Sequence, residues 1–87
     1  MDAREIIGWN VRHLRVCLGL SQERLALAAG LDRAYVGRIE RASENVTITT
    51  LEALAKVLSV PIVALLTEPE DGGIRPPPLR SGRKPKS

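Results

Sequence analysis

The chain has 87 residues, a formal net charge of +3 and 2% aromatic residues, which leaves room for one small domain and leans towards anionic partners. The excess is uneven: residues 1–68 hold eight Lys/Arg against eight Asp/Glu, and residues 69–87 hold five against two, so overall charge alone does not argue that the folded part binds nucleic acid. A single cysteine excludes an intrachain disulfide or a cysteine-rich zinc site, and no apolar run approaches the roughly 18 residues of a membrane span.

No basic-apolar-cleavage pattern opens the chain, so a soluble cytoplasmic protein is expected. One histidine, one cysteine, no glycine-rich phosphate loop and no paired His/carboxylate spacing leave nothing from which to assemble a catalytic site. No enzymatic activity, cofactor or metal is expected.

In chain order, Asp2 with Glu5 three residues later forms a capping-box pattern, so a first helix starts near residue 3 and runs to about residue 18, where Gly19 ends it. Ile7, Val11, Leu14 and Leu18 make one apolar stripe, and Ile6, Trp9 and Val16 a second, so this helix is expected to be covered on two sides. Trp9 is read as packing on the last helix, with a partner-binding role as the alternative, His13 as a surface residue, and Cys17 as a small, partly buried helix residue.

Residues 21–39, SQERLALAAGLDRAYVGRI, read as two short helices joined by a tight turn. Ser21 is a natural N-cap, Gln22 and Glu23 suit the positive end of the helix dipole, and Leu25, Ala26 and Ala29 share a face. Gly30 sits where a left-handed cap is wanted, and Asp32 is the next N-cap. Val36 and Ile39 give the second helix a narrow buried stripe, which turns Arg33, Ala34, Tyr35 and Arg38 outward. Helices this short need a supporting bundle.

The polar connection RASENV follows, and Thr47 caps a fourth helix in which Ile48, Leu51, Leu54, Ala55 and Leu58 recur at helical spacing. Pro61 opens a last helix over residues 62–66 that is apolar nearly all round. A terminal helix without a polar face needs cover, and its own copy across a two-fold axis supplies it, so a homodimer through Ile62, Val63 and Leu66 is expected. Residues 1–68 form the domain; residues 69–87, with five prolines and three glycines, are expected to be a flexible, disordered tail. Its Arg75, Arg80, Arg83, Lys84 and Lys86 either touch phosphates transiently or only aid solubility, and a proline-motif contact with a protein is a further reading.

The linked set GLSQERLALAAGLDRAYVGRIER, NVTITTLEALAKVLSV and a final helix ending in LL, with VRHLR in the first helix, resembles the phage-repressor and Cro-like helix-turn-helix family, also called XRE. The likeness covers about 60 of the 87 residues. Within that family, LDRAYVGRIER and NVTI resemble the controller proteins of restriction–modification systems, which are small dimeric regulators.

The resemblance implies an all-α, compact five-helix bundle of the lambda-repressor type that binds double-stranded DNA. By position, Arg33, Ala34 and Arg38 face base edges, while Ser21, Gln22, Tyr35, Arg41, Ser43, Asn45 and Thr47 face phosphates. Gln22 also braces the start of the recognition helix, and Arg15 with Glu40 forms a structural ion pair. The chain departs from the family at Gly37, read as a close approach to a neighbouring backbone or to DNA, at Ser59, where glycine is usual, and at Val63 and Ala64, where polar residues are usual.

Chemistry supports the same residues. Arginine presents two parallel donors to O6 and N7 of guanine, a contact worth about 1–3 kcal/mol of discrimination. Arg33 and Arg38 lie about 140° apart around a helix, so Arg33 sits deeper and Arg38 nearer the groove wall, where a base or a phosphate is in reach. The reading is a dimeric transcriptional regulator, such as a repressor, on a two-fold symmetric operator, with the third helix in the major groove. The alternative is a protein-interaction module, such as an antitoxin, holding a partner through its last helix or tail.

Overall fold

Five helices follow one another through residues 1–70, the part of the chain that the computed structural model describes: α1 (Ala3–Cys17), α2 (Gln22–Ala29), α3 (Arg33–Glu40), α4 (Ile48–Leu58) and α5 (Ile62–Leu66). No strand occurs among the described residues. The expectations for residues 71–87, including all five tail cations, lie outside them.

Most helices start where a short polar side chain takes up a free backbone N–H. Asp2 accepts from the Glu5 amide at 2.9 Å while Glu5 accepts from the Asp2 amide at 2.9 Å, closing the capping box. Ser21 accepts from the Arg24 amide and Thr47 from the Thr50 amide, at 2.9 and 3.1 Å. Asp32 departs from the expected pattern: its backbone is extended as an N-cap requires, yet its side chain accepts nothing from α3.

The ends of α1 to α4 repeat one device. A residue with positive φ follows each helix or closes it, at Gly19, Gly30, Ala42 and Ser59, and the next amide reaches back five residues. These bonds are Leu20 to Arg15, Leu31 to Ala26, Ser43 to Arg38 and Val60 to Ala55, at 3.0, 2.8, 3.0 and 3.0 Å. Glycine enters this region without penalty, whereas Ala42 and Ser59 each cost about 1–2 kcal/mol, so the packing around them must hold the turn.

Val11, Leu25, Val36, Ile39, Leu54 and Leu65 are the largest fully buried side chains and draw on all five helices. At about 1.5–3 kcal/mol for each such side chain, this cluster is what makes helices of five and eight residues stable. α1 runs along α3 and α5. Beside α3 it comes so close that a Cβ at Gly8 would lie 2.5 Å from the Ile39 carbonyl oxygen. Beside α5, the buried Asn10 donates its amide N–H groups to the carbonyls of Leu65 and Thr67, at 3.1 and 2.9 Å.

Several sequence expectations fail at the margins of this core. Of the stripes assigned to α1, Val16 and Leu18 are exposed, and Ile6 and Trp9 are only half-buried. For Val16 and Leu18 the reason is that Arg15 takes the inward position in the last turn, so the core stops short of that helix end. The neighbour that the structure gives the Trp9 ring is His13, stacked at 4.7 Å between centroids. Cys17, on the final turn, is exposed and not partly buried. Ile48, the first residue of α4, overhangs the core and is 70% exposed. Ile62 packs against the domain's own core, so of the three residues assigned to a dimer contact only Val63 and Leu66 present an exposed apolar face.

Candidate nucleic-acid interface

α3 has two faces with different jobs. Val36, Gly37, Ile39 and Glu40 are buried, and Arg33, Ala34 and Arg38 are exposed. Tyr35, expected to point outward, is half-buried with part of its ring against the core, because it stands at the edge between these faces. Along the outer side runs an open groove of about 500 Å³ lined by Gln22, Asp32, Arg33, Ala34, Gly37, Arg38 and Arg41. Three arginines from two turns of one helix and its end thus share a concave surface.

The inner face is held by charge. Arg15 donates Nε–H to Glu40 Oε2 at 2.7 Å and Nη2–H to Glu40 Oε1 at 3.1 Å, and its Nη1–H to the Leu20 carbonyl at 2.8 Å. Gln22 adds its side-chain amide to Glu40 Oε1 at 3.0 Å. The family resemblance placed Gln22 against the start of α3; it braces the opposite end. As the first residue of α2 it reaches across to Glu40, the last residue of α3.

Of the two close approaches expected at Gly37, the one to a neighbouring backbone is not found: an added Cβ would sit 3.2 Å from the Arg41 guanidinium and 3.8 Å from the Gln22 side chain. The missing side chain makes room for Arg41 to fold back over α3 and into the groove. Arg33 has no hydrogen-bonded or ionic partner among the described residues, and Arg38 donates Nε–H to Glu44 at 3.2 Å with its guanidinium 5.6 Å from the Tyr35 ring centroid.

The polar loop beyond α3 is exposed at Ser43, Asn45 and Thr47. Two of its hydroxyls are already engaged: Ser43 donates to the Arg38 carbonyl at 3.1 Å, and Thr47 donates to Thr50 Oγ1 at 3.0 Å while capping α4. The amides of Arg41, Ala42 and Ser43 are spent on the carbonyls of α3, so the side chains of Asn45 and Arg41 and the backbone amides of residues 44–46 are the freer donors. Sequence reasoning passed over Gly8, Asn10 and Glu44. Gly8 and Asn10 position the site through α1, and Glu44 touches it directly. Among the described residues no group of three or more potential metal ligands occurs.

The helix-turn-helix family model HTH_3 matches residues 11–65. The control protein C.SmaI of Serratia marcescens is 49% identical over 67 residues, covering 77% of this chain and 80% of that protein. Among solved structures, the restriction-modification controller protein C.AhdI from Aeromonas hydrophila superposes with a TM-score of 0.69 at 42% identity, over 71% of this chain and 94% of that one. The hypothetical transcription factor NHTF from Neisseria superposes with a TM-score of 0.77 at 40% identity, over 80% of each chain.

Proposed function

The chain belongs to the HTH_3 helix-turn-helix family, whose members are DNA-binding transcription regulators and not enzymes, and on that premise we propose that it is a homodimeric, sequence-specific regulator on a two-fold symmetric operator. α3 enters the major groove. The observation that carries the reading is the division of α3 into a face locked to the bundle through Val36, Ile39 and Glu40 and a face that offers Arg33, Ala34 and Arg38 to solvent. Arg33 and Arg38 supply guanidinium groups suited to guanine, and the Ala34 methyl suits thymine or permits close approach. Arg41, Asn45 and the amides of residues 44–46 supply contacts to phosphate, joined by Ser21, Gln22, Tyr35, Ser43 and Thr47 at the margins of the groove.

Val63 and Leu66, 62% and 47% exposed on α5, supply the apolar contact between two copies. Each copy then presents one α3 to successive major grooves about 34 Å apart. The relatives that carry the name controller support a role in governing the genes of a restriction–modification system. No described helix is long and apolar enough to cross a membrane, and the protein acts in the cytoplasm, where the chromosome is.

The test is selection from a randomised duplex library followed by competition. The wild-type chain enriches a palindromic sequence, and Arg33→Ala binds it no better than random duplex while its circular dichroism is unchanged. Sedimentation of Val63→Asp shows a monomer where the wild type is a dimer. A chain that enriches nothing, or an Arg33→Ala variant with undiminished preference, overturns the assignment.

A further inference from the structure

We infer that Glu44 is a positioning residue that sets the specificity of Arg38; this rests on the DNA-reading function proposed above. The turn that ends α3 brings the two residues together. With Ala42 in the left-handed region, the amides of Ala42 and Ser43 bond back to the carbonyls of Ile39 and Arg38, both at 3.0 Å, and the Ser43 hydroxyl adds a second bond to the Arg38 carbonyl. The chain is thus folded back on the residue that carries the guanidinium, and Glu44 is the next residue along.

Its carboxylate takes only the Nε–H of Arg38, at 3.2 Å, while the Tyr35 ring lies 5.6 Å from the guanidinium carbon, within cation–π range. The two Nη groups, which form the edge that fits O6 and N7 of guanine, have no partner among the described residues. The guanidinium is therefore held by one edge and one face, with its other edge left for the base.

An exposed pair of this kind adds little to stability, since its side chains are 44% and 28% exposed. Its value lies in what it does to competing states. An arginine ordered before binding loses less freedom on reaching the correct base. A carboxylate beside it repels phosphate at every sequence alike. Both effects raise the ratio of specific to non-specific affinity, one by geometry and one by charge.

The two are separated by Glu44→Gln, which removes the charge and keeps an oxygen to accept from Nε, and Glu44→Ala, which removes both. The readout is the wild-type sequence from library selection, its single-base variants, and random duplex. Arg38→Ala identifies the base pair read by Arg38 and lowers the preference there roughly tenfold. Glu44→Ala lowers the preference at that same pair roughly threefold or more and raises affinity for random duplex a few-fold, whereas Glu44→Gln raises random affinity equally but keeps the base preference.

The inference is overturned if Glu44→Ala leaves that preference at the wild-type level, if Glu44→Gln loses as much as Glu44→Ala, or if Arg38→Ala changes no base preference. In each of these outcomes the loss caused by Arg33→Ala still stands for the wider assignment. A wild-type chain that selects no sequence sinks the assignment itself.

Discussion

Arginine and glutamate meet twice along α3, once on each flank, and the two meetings differ in every respect except chemistry. On the flank towards α1, Arg15 and Glu40 share two hydrogen bonds, Gln22 adds a third to the carboxylate, and the side chains are 11% and 4% exposed. On the outer flank, Arg38 and Glu44 share a single bond at the surface, with side chains 44% and 28% exposed. Burial makes the first pair obligatory, because either charge left alone is stranded without water. Solvent makes the second pair adjustable, because water replaces either partner at little cost. The same residue types therefore fix the helix on one side and tune it on the other.

The largest effect is expected on the inner flank. Glu40→Ala leaves the Arg15 guanidinium buried without its acid and lowers stability by about 3–5 kcal/mol in a denaturant titration. A loss under about 1 kcal/mol would erase the distinction between the flanks, since that is the scale of an exposed pair. Gly8→Ala comes next. Its Cβ would stand 2.5 Å from the Ile39 carbonyl oxygen, a backbone atom that cannot swing away, so α1 must lift off the end of α3 that carries Glu40. The expected cost is about 1–3 kcal/mol, with operator binding weakened in parallel. An unchanged melting temperature for Gly8→Ala would mean that the two helices are not held in register there.

The smallest effect belongs to the outer flank. A double-mutant cycle on Arg38→Ala and Glu44→Ala should give a coupling in stability below about 1 kcal/mol that shrinks as salt is raised. A larger, salt-insensitive coupling would make this pair structural too, and specificity would then lose its separate handle.

The comparison also marks how far the sequence could be read. Helix positions were legible because Asp2, Ser21 and Thr47 cap in ways their chemistry dictates, and because Leu25, Val36, Ile39, Leu51, Leu54 and Leu58 recur at helical spacing. The outward placement of Arg33, Ala34 and Arg38 on α3 was legible from the same periodicity, and that of Tyr35, at the edge of the buried face, was not. What escaped depends on contacts between distant segments. Asn10 is a polar residue whose partners are backbone carbonyls 55 and 57 residues away. Gly8 looks like a weak spot in a helix until another helix is laid against it.

Ala42 gave no sign of a left-handed turn, since alanine is seldom found there, and without that turn nothing brings Glu44 onto Arg38. Ile48 misled for the opposite reason. Periodicity assigns it to a face but cannot say where the neighbouring helix ends. Asp32 shows a further limit, because a side chain suited to capping need not turn towards the helix that it precedes.

Asn10 and Arg15 stand five residues apart on α1, about 7.5 Å along its axis. One clasps the carbonyls at the end of α5 and the other clasps the acid that closes α3, with unbroken helix between them. In the proposed dimer each reading head therefore hangs from the subunit junction on a short stiff beam that has no hinge. Spacing on the duplex becomes a matter of arithmetic: one base pair inserted between half-sites shifts the target by about 3.4 Å and swings it round by about 35°. A chain built on that beam has no joint with which to follow.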